Sequence, residues 1–189
     1  MNEFKYYFEL GINHILDING LDHFFFIIAF CLLYKLSDWK EIIKLITAFT
    51  IGHSLTLILA GLNIVSMPMD LIETLIPITI MITCFGNFYF LFKSKEQQKK
   101  KGYFYTILFF GLIHGLGFSN FIKNMFFEDE SIIIPLLSFN LGIEIAQLLI
   151  VFGFLVILSI IHIFIKELKW SRIIINSLIL ISILNMMLF

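Results

Sequence analysis

Charged residues and cysteines are both scarce in this chain. Only 14% of its 189 residues are charged, whereas 59% are hydrophobic and the mean hydropathy is +0.95. A soluble domain carries about 25% charged residues, so this composition excludes an ordinary soluble protein and predicts an integral membrane protein. The two cysteines, Cys31 and Cys84, lie within apolar segments, which favours packing thiols over a disulfide or a redox site.

The chain also lacks an excess of positive charge and a phosphate-binding loop. Its formal net charge is −1, so the composition gives no reason to expect nucleic acid as a partner. No segment matches the glycine-rich loop of ATP-driven machines. If the protein moves a solute against its gradient, we therefore expect the driving force to come from another gradient or from a partner protein.

The apolar segments predict an all-α bundle. A membrane-spanning helix needs about 20 apolar residues, so 189 residues allow about six spans in a single domain that covers residues 1–189. We expect a short interfacial helix within residues 1–19. The expected spans are residues 21–36, 41–62, 69–92, 103–121 and 135–165, followed by a sixth that ends at Phe189.

The basic residues predict an orientation. The loops after the first, third and fifth spans hold all of the 13 basic residues except Lys5 and Lys123. Because cytoplasmic loops carry the excess of Lys and Arg, we expect these loops inside and both termini outside. The most polar of these loops is the run at 93–102, and an acidic loop at 128–130 falls on the outer side.

Imidazole and carboxylate side chains recur within the predicted spans. Burying such groups is costly, so each is by default a functional hypothesis. At about 1.5 Å per helical residue, the groups on five spans reach the outer half of the membrane: Asp22, His23, His53, Glu73, His114 and Glu144. Asp17 would add negative charge at the mouth, and Ser54, Asn140 and Gln147 would orient the ligands.

This donor set suits a borderline divalent cation such as Ni²⁺, Zn²⁺, Co²⁺ or Fe²⁺. We favour a permease or facilitator that is not an enzyme. The alternative is a membrane-embedded zinc hydrolase, in which histidines hold the metal, a carboxylate activates water and Ser54 assists. A third hypothesis is a non-catalytic partner that presents metal to another protein.

Five segments resemble the HupE/UreJ family of membrane proteins associated with hydrogenase and urease maturation. The resemblance implies a nickel or related metal permease in the inner membrane of a bacterium, with metalloenzyme maturation proteins as candidate partners. It also implies that the ion is handled by six residues, namely His14, Asp22, His23, His53, His114 and Glu144. The matching segments are GINHI at 11–15, GLDHFFF at 20–26, FTIGHSLTL at 49–57, FFGLIHGLGF at 109–118 and FNLGIEIAQ at 139–147.

Overall fold

The computed structural model describes residues 2–18, 20–93, 103–118, 133–165 and 167–188, and these residues form helices and short connections without any strand. The prediction of an all-α chain is therefore confirmed. The helices are α1 (Glu3–Leu16), α2 (Asp22–Cys31), α3 (Trp39–Gly61), α4 (Met69–Lys93), α5 (Tyr103–Gly117), α6 (Ile133–Phe164) and α7 (Leu168–Leu188), with a 3-10 turn at Leu36–Asp38 before α3.

Within the described residues, four helices are long and apolar enough to cross a membrane: α3 with its preceding turn, α4, α6 and α7. They match the second, third, fifth and sixth predicted spans to within a few residues at the ends that are described. The first and fourth predicted spans correspond to shorter apolar helices, α2 and α5. The end of the fourth span at 119–121 and the loops at 94–102 and 128–130 lie outside the described residues.

The first span is shorter than expected because the chain turns before Lys35. The helix α2 has 10 residues, about 15 Å of rise, which is half of a hydrocarbon core of about 30 Å. A turn follows, closed by a bond from the Tyr34 N–H to the Cys31 carbonyl at 2.9 Å. The Asp38 carboxylate then accepts the Lys35 N–H at 3.1 Å and closes the 3-10 turn that precedes α3. The N-terminal helix α1 is capped by Asn2, whose side chain accepts the Phe4 N–H at 3.2 Å.

Reciprocal glycines set two close helix pairs. A Cβ at Gly52 of α3 would strike the Leu108 carbonyl of α5, and a Cβ at Gly111 of α5 would strike the Phe49 carbonyl of α3. In the same way Gly11 of α1 lies against the backbone of α6, and Gly142 of α6 lies against that of α1. Small residues let membrane helices approach backbone to backbone. These contacts therefore hold α3 against α5 and α1 against α6.

Buried amides tie α4 to α2 and α7. The Asn87 amide donates to the Ala29 carbonyl at 2.8 Å and to the Asn176 side chain at 2.9 Å, and the Asn176 amide donates to the Cys84 carbonyl at 2.9 Å. Both asparagines are fully buried, where such bonds cannot be exchanged for bonds to water. Two kinds of contact thus hold the bundle together. Glycines join α3 to α5 and α1 to α6, and buried amides join α4 to α2 and α7.

Candidate metal site

Four of the five histidines lie together where α1, α2, α3 and α5 meet. The ring centre of His23 lies 4.6 Å from that of His14, 5.2 Å from that of His114 and 6.0 Å from that of His53. The centres of His14 and His53 are 5.7 Å apart. We call these four residues the histidine cluster. The fifth histidine, His162, is exposed near the end of α6.

Three groups of the cluster region are close enough to share one ion. Asp22, His23 and His114 each offer a ligand atom, and these atoms lie within 4.8 Å of one another. An ion held at about 2.1 Å separates its ligand atoms by roughly 3 to 4 Å. A divalent cation therefore fits between the three side chains after shifts on the order of 1 Å.

Five ring nitrogens of the histidine cluster are buried and have no hydrogen-bond partner within the described part of the chain. Buried polar groups in proteins are almost always bonded, so each exception needs an explanation such as an ion or a water molecule. Imidazole nitrogens beside a carboxylate are the donors that borderline divalent metals prefer. The donor set thus fits such an ion. The five atoms are His14 Nε2, His23 Nε2, His53 Nδ1, His53 Nε2 and His114 Nδ1.

Two neighbours decide which nitrogen His23 and His114 can offer. The Thr79 hydroxyl of α4 donates its single proton to the Ile76 carbonyl at 2.7 Å, and it lies 2.9 Å from His114 Nε2. His114 must then donate its Nε2 proton to Thr79, which leaves a lone pair on Nδ1. Likewise the Asp22 carboxylate lies 3.1 Å from His23 Nδ1 and leaves the lone pair on Nε2. The partnerless atoms of both residues are therefore the ones able to bind a cation.

Thr79 was missed in the sequence interpretation, although a signal was present. It falls with Ile72, Ile76 and Thr83 on the buried face of α4, at the three- and four-residue spacing of one helix side. From the sequence, Glu73 is the residue of this span expected near the ion, and its side chain is exposed. A hydroxyl two residues after Pro77 indicates the inner face better than the acid does.

Phenylalanines enclose the cluster on the side of the bundle interior. The Phe26 ring lies 4.8 Å from the His114 ring and 5.1 Å from the Phe49 ring, and Phe49 lies 5.2 Å from His114 and 6.0 Å from His53. Both phenylalanines are buried. They exclude water from the histidines and strengthen any charge interaction there.

Carboxylates line the opposite, open side. A pocket of about 220 Å³ is bordered by His14, His23 and His114 together with Asp17, Asp22 and Glu73. Asp17 and Glu73 are exposed, as expected for residues at the mouth. The pocket therefore leads from an acidic rim to the partnerless imidazoles.

Glu144 does not border this pocket. Its Oε1 accepts the Thr47 hydroxyl at 2.7 Å, and together with Thr50 and Ser54 it lines a separate pocket between α3 and α6. Thr50 donates to the Gln147 side chain at 3.1 Å. Glu144, expected to handle the ion together with the histidines, thus borders a different pocket from His14, His23 and His114.

The remaining predicted orienting groups bond to backbone or to the α3–α6 side. Ser54 donates to the Thr50 carbonyl at 2.6 Å, and the Asn140 amide donates to the Leu136 carbonyl at 2.8 Å. With the Thr50 bond to Gln147, none of these bonds reaches the histidine cluster. The side-chain contacts that orient His23 and His114 come instead from Asp22 and Thr79.

A bundle of apolar helices with buried imidazoles beside a partly buried carboxylate defines a polytopic membrane protein with a candidate metal site. The chain belongs to the HupE/UreJ family, because the family model described as HupE / UreJ protein matches residues 1–189. The resemblance noted from the five sequence segments is confirmed. Comparisons with curated proteins and with solved structures give no match.

Proposed function

We propose that the chain is a permease or facilitator for a divalent metal ion, with nickel favoured. The observation that carries this proposal is the set of buried, partnerless ring nitrogens beside Asp22, opening on an acidic pocket. Membership of a family linked to metal handling points in the same direction. In this proposal the ion is the transported substrate and not a resident cofactor.

Capture begins at the rim. Asp17 and Glu73 attract a hydrated cation, and the ion then exchanges water for Asp22 and the imidazoles of His23 and His114. His14 and His53 lie next to this group and offer further nitrogens as the ion moves inward. Conduction requires several sites of moderate affinity in place of one very tight site, which suits neighbouring imidazoles that can share an ion.

The topology we propose has six crossings with both termini outside. The short helices α2 and α5 provide the other two crossings beside the four longer spans. The start of α2 and the end of α5 lie on the outer side. This arrangement places the histidine cluster in the outer half of a bacterial inner membrane. It also puts the start of α7, with Lys169 and Arg172, on the inner side, as the distribution of basic residues favours.

The hydrolase alternative has less support. It requires Ser54 to assist at the metal, whereas the Ser54 hydroxyl donates to a backbone carbonyl and borders the α3–α6 pocket. Glu144 borders the same pocket, so neither group is available beside His23 and His114. Presentation of metal to maturation proteins would use the same site. It differs from transport only in where the ion goes, which is to a partner protein and not across the membrane.

Uptake of nickel into proteoliposomes tests the proposal. We expect the double variant His23→Ala with His114→Ala to lower the initial uptake rate at least about tenfold, the size of effect seen when a metal ligand shell is disturbed. The matched control is His162→Ala, which removes an exposed imidazole from the other end of the bundle. Equal uptake by the double variant and the wild type would rule out passage through the histidine cluster. Metal binding without uptake in the wild type would favour presentation.

A further inference from the structure

An apolar groove runs between α3 and α6, away from the histidine cluster. Its volume is about 350 Å³, and every residue that lines it is apolar, from Trp39 and Ile42 on α3 to Leu155 on α6. Along α6 it extends from Leu155 to Ile145, a rise of about 15 Å. One leaflet is half of a hydrocarbon core of about 30 Å. The groove therefore has the length of one leaflet.

Two tryptophans indicate that one end of the groove lies near headgroup level. Trp39 and Trp170, the two tryptophans of the chain, are both exposed at this end of the bundle. Tryptophan is enriched at membrane interfaces, and the Lys40 ammonium lies 5.4 Å from the Trp39 ring. The groove thus begins at the interface and runs toward the membrane centre.

A polar pocket adjoins the groove at that level. Its volume is about 220 Å³, it shares Leu36 and Leu155 with the groove, and Lys35, Ser37 and Arg172 contribute to its wall. No carboxylate belongs to the described wall of the pocket. The pocket is therefore a concentration of positive charge beside an acyl-sized groove.

Two acidic residues near the start of α3, Asp38 and Glu41, make contacts outside the wall of the pocket. The Asp38 carboxylate accepts the backbone N–H of Lys35 at 3.1 Å, and the Glu41 carboxylate lies 3.7 Å from the Lys44 ammonium. Neither contact uses the side chain of Lys35. A phosphate in the pocket would meet lysine and arginine without an opposing carboxylate in the wall.

We propose that the protein binds an anionic glycerophospholipid at this place. The phosphate lies in the pocket of Lys35 and Arg172, and one acyl chain fills the α3–α6 groove. The continuity of a basic pocket with an apolar groove one leaflet long carries the assignment. The same groove would accept the chain of a zwitterionic lipid, and the pocket alone would accept inorganic phosphate, so the test separates these ligands.

Native mass spectrometry of the detergent-purified full chain measures lipid binding directly. Dioleoylphosphatidylglycerol should bind more tightly than dioleoylphosphatidylcholine, and Lys35→Gln should weaken binding of the anionic lipid about fivefold, the effect of one basic contact. Lys93→Gln is the matched control, since it removes a charge outside the pocket. Equal affinity for the two lipids, or no effect of Lys35→Gln, would overturn the proposal.

A second pair of variants tests the groove. Leu149 lines it and is 62% exposed, whereas Leu141 lies on the same helix outside it and is 44% exposed. Leu149→Trp should fill the groove and weaken lipid binding, while Leu141→Trp should leave it unchanged. Unaltered binding to Leu149→Trp would contradict the assigned acyl site. Full displacement of the bound lipid by inorganic phosphate would also contradict it, because the acyl chain would then contribute nothing.

Discussion

Replacement of Thr79 by valine removes one hydroxyl and keeps the shape of the side chain. The His114 ring would lose the acceptor that lies 2.9 Å from its Nε2, so its tautomer and its orientation would no longer be selected. Loss of a group that orients a metal ligand weakens binding by about 10- to 100-fold. The lower end corresponds to about 1.4 kcal/mol, close to the net value of one hydrogen bond.

The assay is competition of nickel between the purified protein and a chromophoric chelator. Thr79→Val should raise the dissociation constant at least about tenfold, and Thr79→Ser, which keeps the hydroxyl, should restore it. Thr83→Val is the matched control, because Thr83 lies one turn further along α4 and donates to the Thr79 carbonyl at 2.9 Å. Wild-type affinity in Thr79→Val would refute the claim that Thr79 selects the nitrogen that His114 offers.

Two further predictions concern stability, measured as thermal unfolding in detergent. Gly52→Ala should lower the free energy of unfolding by about 1–3 kcal/mol, because the added Cβ meets the Leu108 carbonyl. Gly153→Ala, whose added Cβ has nothing within 4 Å, should raise it by up to about 1 kcal/mol. The reverse order of stability would contradict the close α3–α5 contact. Asn176→Leu should cost about 1–3 kcal/mol by leaving buried amide and carbonyl groups unbonded, and the exposed Asn185→Leu should cost little. Equal melting temperatures for the two asparagine variants would show that the buried amide network contributes no stability.

Much of this fold could be predicted because it depends on local pattern. Apolar runs bounded by Lys, Pro and Gly place α3 and α4 within about two residues of their observed starts. The gathering of His23, His53 and His114 followed from depth along the helices, since 1.5 Å per residue converts a position into a level. Depth alone was enough to predict that these three residues lie together, because the helices that carry them are neighbours.

Depth was not enough for Glu144 and Thr79. Glu144 reaches the other side of α3 because Gly142 draws α6 against α1, and sequence spacing does not state which helices are neighbours. Thr79 was missed because a threonine in a span usually bonds its own backbone, as Thr83 does. The role of Thr79 arises because its hydroxyl meets both the Ile76 carbonyl and the His114 ring, which only the packed structure specifies.

X-ray absorption spectroscopy of the nickel-loaded protein tests the central claim most directly, since it reports the atoms around the bound ion. The account predicts at least two imidazole ligands together with carboxylate oxygen, and fewer imidazole ligands in the double variant His23→Ala with His114→Ala. An all-oxygen shell in the wild type, or an imidazole contribution in that variant equal to that of the wild type, would contradict a metal site built from Asp22, His23 and His114.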